Sequence, residues 1–125
     1  MRNKIFLLSN IFGLLLIKEK YYMKLDQNTG APISLKDAQE FVTNFRKLHP
    51  NEITSLFAGS KIIKSILEQE DCVGIRIYNG YNEKEQRLNS VLIGVDSKGE
   101  DLLSIIADEM FPCPSTCPKV DILLR

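Results

Sequence analysis

Between Leu67 and Val73 the apolar residues change their spacing, and this change constrains the fold more than any other feature of the chain. Before it, Ile62, Ile63, Ile66 and Leu67 recur at the three-and-four interval of one helix face. After it, Val73, Ile75 and Ile77 alternate with Gly74, Arg76 and Tyr78, the period-two pattern of a strand with one covered face. The run "RLNSVLIGVDSKG" repeats the device with Val91, Ile93 and Val95, and the polar "NGYNEKEQ" between the two runs reads as a hairpin loop. Two antiparallel strands are predicted. Asp96-Ser97-Lys98-Gly99 is turn chemistry, and "EDLLSIIADEMF" beyond it fits a third strand or a short helix equally well.

Upstream, "SLKDAQEFVTNFRKLHP" predicts a helix, with Ser34 and Asp37 in a capping pattern. Leu35, Ala38, Phe41, Val42, Phe45 and Leu48 lie on one face, and Pro50 sets the end. Asn51 then reads as a new cap, so that Ile53, Leu56 and Phe57 predict a short helix broken from the next one at Gly59-Ser60. The acidic Glu68, Glu70 and Asp71 help to end that second helix near Gln69, where the macrodipole disfavours negative charge. Helices first and a meander second make an α+β domain, with the N-terminal helices packed on a small antiparallel sheet of two to three strands. A sheet that small leaves open edges and gains from pairing with another copy, so a homodimer is expected.

A chain of 125 residues, 44% apolar and 26% charged, is one globular domain on its length. Sixteen basic side chains balance sixteen acidic ones, which gives no electrostatic reason to expect nucleic acid. Three cysteines are an odd count in a chain large enough to fold by burial, so a reducing, cytoplasmic setting is the default.

Residues 1–22 stand apart from the domain at 23–125, whose proline- and cysteine-rich tail begins near Phe111. Arg2 and Lys4 precede an apolar run from Ile5 to Ile17, the outline of a signal peptide, but Lys18 to Tyr22 follow where small residues are wanted. The run is too short for a membrane span of about 20 residues. Three readings stand open: translation starting at Met23, an exported or membrane-associated segment, or a helix packed on the domain. Membrane contact is expected only if these residues are translated.

The segments "CVGIRIYNGY", "VLIGVDSKGEDLL" and "PCPSTCP", behind a helix like "SLKDAQEFVTNFRKLHP", resemble a family of small uncharacterised bacterial proteins found mainly in Bacteroidetes. The likeness runs from about Leu25 to Pro118. It implies a self-contained domain beginning near Met23 and carries over no catalytic residue.

Chemistry concentrates in "FPCPSTCP". Cys113 and Cys117, with Cys72 and His49, supply the residue types of a Cys3His zinc site, although only one close ligand pair is present. Alone, Cys113 and Cys117 suit a local disulfide or a thiol pair held by Pro112, Pro114 and Pro118. Their spacing is not the C-x-x-C of thioredoxin chemistry. The plainer reading makes Cys72 a buried inert thiol and His49 a surface residue beside a helix end. Asp96, Glu100, Asp101, Asp108 and Glu109 read as solvated turn residues, whose order does not match a calcium loop. Arg76 and Tyr78 share a strand face with Gly74, the wet side of the sheet or a ligand or dimer surface. No nucleophile elbow, Walker loop, dinucleotide turn or H-E-x-x-H occurs.

The expectation is a non-enzymatic, self-associating binding or assembly module without a cofactor. The alternative is a thiol-dependent protein that binds zinc or cycles a disulfide through Cys113 and Cys117, which an exported location would favour.

Overall fold

The computed structural model describes residues 24–124. The readings of residues 1–22 lie outside them. The chain is α+β. Helix α1 spans Leu35–Leu48, strand β1 Ser55–Phe57, helix α2 Ser60–Leu67, and strands β2 to β4 Cys72–Asn82, Arg87–Asp96 and Asp101–Ala107. A short β5, Phe111–Cys113, and a 3-10 turn, Ile122–Leu124, complete it. Strands β2, β3 and β4 form an antiparallel meander in that order, and β1 pairs with β5 in a separate two-stranded ribbon.

The Ser34 hydroxyl accepts the Asp37 amide at 3.0 Å, as the capping pattern predicts, and the His49 amide closes the far end of α1 on the Phe45 carbonyl. Helix α2 starts after Gly59 without a side-chain cap and lays Ile66 on the meander. There Ile66, fully buried, meets Leu92, Ala107 and Met110, with Ile62, Ile63 and Ile75 around them. Gly94 of β3 lets α2 come this close: a Cβ there would lie 2.8 Å from Gln69 Nε2 and 3.2 Å from Ile66 Cγ2. The other helix takes a different seat. None of the residues of α1 is buried, and it lies against the 3-10 turn, where the Gln39 side chain donates to the Ile122 carbonyl at 2.8 Å.

Two sequence expectations need correction. The segment after Asn51 is a strand in place of a helix, because Ser55, Leu56 and Phe57 find partners in Cys113, Pro112 and Phe111. A three-residue stretch with two apolar neighbours carries no decisive period, so a distant partner decides. The hairpin loop is also shorter than read, since Asn79 to Asn82 still pair with Ser90 to Arg87, leaving residues 83–86 as the turn. An antiparallel strand with one wet face tolerates such polar residues. The open choice at residues 101–109 resolves to a strand, β4, whose register on β3 slips between Ile93 and Gly94. Gly99, at φ +85°, makes the turn before it, and the Asp96 carboxylate accepts the Lys98 and Glu100 amides there.

Candidate functional site

The four residues of the zinc reading are not brought together. Cys113 and Cys117 are joined as a disulfide with Cα atoms 4.8 Å apart, Cys113 buried and Cys117 exposed. Their sulfurs are therefore spent in a covalent bond in this structure. Cys72 is a free, half-buried thiol at the start of β2, donating to the Gly74 carbonyl beneath α2 and close to where a Gly94 side chain would be. His49 is exposed at the end of α1 with its ring 4.9 Å from that of Phe45. Among the described residues no group of three or more His, Cys, Asp and Glu side chains is arranged to hold a metal ion.

Arg76 and Tyr78 serve a structural tie. The Arg76 guanidinium pairs with Asp101 and donates to the Gly99 carbonyl at 3.3 Å, while the Tyr78 hydroxyl donates to the other Asp101 oxygen. Both bonds cross β3 to join β2 with the start of β4. The hydrogen bond to Asp101 favours the protonated phenol and raises the Tyr78 pKa above its usual value, with partial loss of water around the hydroxyl adding to the rise. The ultraviolet titration of Tyr78 is expected to fall back toward the ordinary value of about 10 in Asp101→Asn. An unchanged midpoint would contradict the tie.

A cleft of about 420 Å³ opens between the ribbon and the meander. Phe45 of α1, Leu56 of β1, Ile63 of α2, Leu92 of β3 and Met110 all reach it, so every layer of the domain contributes a wall. Thr54, Ser55 and Ser90 add hydroxyls, and no charged side chain is part of the lining. Its volume falls within the range of about 300–1,000 Å³ typical of ligand clefts. An uncharged apolar wall rewards uncharged apolar surface and penalises a charge that would lose its water. The Glu52 carboxylate nearby is turned to other work, accepting the amides of Ile53 and Leu88 at 3.2 and 2.9 Å and so tying the lead-in of β1 to β3.

Sequence reasoning saw these walls only as separate faces. Phe45 is the one residue of α1 in the wall, whereas Phe41 and Leu48 of the same helix lie outside the lining and are 62% and 75% exposed.

The fold and cleft define a small α+β domain with an uncharged apolar cleft and a local disulfide. Comparison with protein-family models, curated proteins and solved structures finds no match. Among the described residues no helix is long and apolar enough to cross a membrane.

Proposed function

We propose that this domain is a non-enzymatic binding and assembly module that holds an uncharged, apolar partner in the cleft and self-associates. The cleft carries the reading: an apolar groove lined from five elements suits recognition, and its lining holds no acid or base to activate the Thr54, Ser55 and Ser90 hydroxyls. Self-association is supported by Leu103 and Ile106, 71% and 58% exposed on β4, an outer strand of the meander. An uncharged solvatochromic dye is expected to bind the full chain saturably, and Ser90→Phe, which fills the cleft, to weaken it about tenfold or more with the circular dichroism spectrum retained. Equal binding by this folded variant would refute the cleft as the site. Sedimentation should show a dimer that Leu103→Lys dissociates; a monomer at all concentrations would remove the assembly half.

One observation favours a second reading. The Cys113–Cys117 disulfide borders a separate, more polar cleft with Arg46 and Glu52, and Cys117 is exposed to an incoming thiol. In this reading a dithiol partner is oxidised to its own disulfide while Cys113 and Cys117 are reduced to thiols. It goes with an exported location, whereas the first reading also accommodates the cytoplasm. A thiol count with metal analysis on protein from its natural compartment separates them: three free thiols and no metal end the thiol reading, and one zinc per chain lost in Cys117→Ser ends the first.

A further inference from the structure

The ladder between β1 and β5 contains a proline, and that proline determines which way a neighbouring backbone faces. Pro112 lies opposite Leu56. In an antiparallel pair of the hydrogen-bonded kind each residue gives one N–H and takes one, and proline has no N–H to give. Leu56 and Pro112 are therefore a pair of the other kind, whose peptide groups point away from each other. The Leu56 N–H and C=O face the edge of β1 that β5 does not occupy.

That edge has no strand on it, for among the described residues β1 pairs with β5 alone. It also borders the apolar cleft. Ser55 and Leu56 of β1 both line the cleft, although consecutive residues of a strand point to opposite sides. Two successive residues of one strand meet one groove when the groove runs along the strand's edge and not over a face.

We propose that the cleft takes an extended peptide segment of a partner protein, added as a strand to the free edge of β1. This deepens the binding reading above and rests on it. The partner's backbone donates to the Leu56 carbonyl and accepts from the Leu56 amide, and its alternate side chains enter the groove toward Phe45, Ile63 and Leu92. The absence of charge from the lining fixes the chemistry of the segment as uncharged, with apolar residues at every second position. Strand addition of this kind needs little sequence beyond that pattern, because the main chain supplies the directional bonds.

The test uses the full chain and two capped, uncharged peptides that alternate valine and threonine, identical except that one is N-methylated at alternate residues. The unmethylated peptide is expected to bind and to slow hydrogen exchange of the Leu56 amide about tenfold or more, and the methylated twin to bind about tenfold more weakly, as loss of backbone hydrogen bonds requires. Equal binding of the twins overturns strand addition while leaving the apolar cleft as a binding site. Failure of both peptides also overturns it, and if the dye binds all the same, the broader reading survives. Leu56 protection without peptide would mean that the edge is already filled. Protection that rises with protein concentration assigns it to a second copy, and protection independent of concentration assigns it to the chain itself; either result ends the proposal.

Discussion

Ile66→Ala is expected to lower the unfolding free energy by about 2–5 kcal/mol, the range for truncating a buried isoleucine. Ile66 has no exposed surface and is the one residue of α2 that is buried. It belongs to one buried cluster with Leu92, Ala107 and Met110, so its truncation leaves a void in a close-packed core. A domain of this size has about 5–15 kcal/mol in all, which makes this single change a large fraction of the total. Urea unfolding followed by circular dichroism measures it, with Leu67→Ala, 45% exposed on the same helix, as the contrast expected to cost much less. A midpoint for Ile66→Ala within error of the parent would mean that α2 does not anchor the fold.

Gly94→Ala makes the complementary change by adding a methyl group where there is no room. The new Cβ would approach Gln69 Nε2 to 2.8 Å, Cys72 Sγ to 3.0 Å and Ile66 Cγ2 to 3.2 Å. Gln69 does not swing away freely, because its amide donates to the Ile66 carbonyl at 2.9 Å and helps to finish α2. Overpacking of this kind costs about 1–3 kcal/mol. Gly74→Ala in β2 is the control: its Cβ would meet nothing within 4 Å, and the loss of glycine's unfolded-state freedom is worth about 0.4–1 kcal/mol of added stability. Opposite signs in the two variants are the expected result of thermal unfolding. Two equal shifts would show that α2 sits farther from β3 than described.

These two sites also mark the limits of what the sequence disclosed. The switch of period after Leu67 located α2 and β2 because each is long enough to repeat its pattern, and the Ser34 cap located the start of α1. The ribbon was illegible because Ser55 and Cys113 are distant in the chain, and three residues take their conformation from that pairing. The outer half of the hairpin was hidden by Asn79, Tyr81 and Asn82, polar or exposed residues that an antiparallel strand accepts on its wet face. The approach of Cys113 and Cys117 was legible from local spacing, whereas the separation of Cys72 and His49 from them depended on topology. The cleft draws on residues from Phe45 to Met110, and no window of sequence contains it.

The binding reading stands or falls on one map. Two-dimensional NMR spectra of the full chain, titrated with an uncharged apolar probe, are predicted to show saturable shifts at Phe45, Ile53 to Leu56, Leu88 and Leu92, the residues that meet at the cleft. Shifts centred on Cys113 and Cys117, or no saturable shift at all, would contradict it.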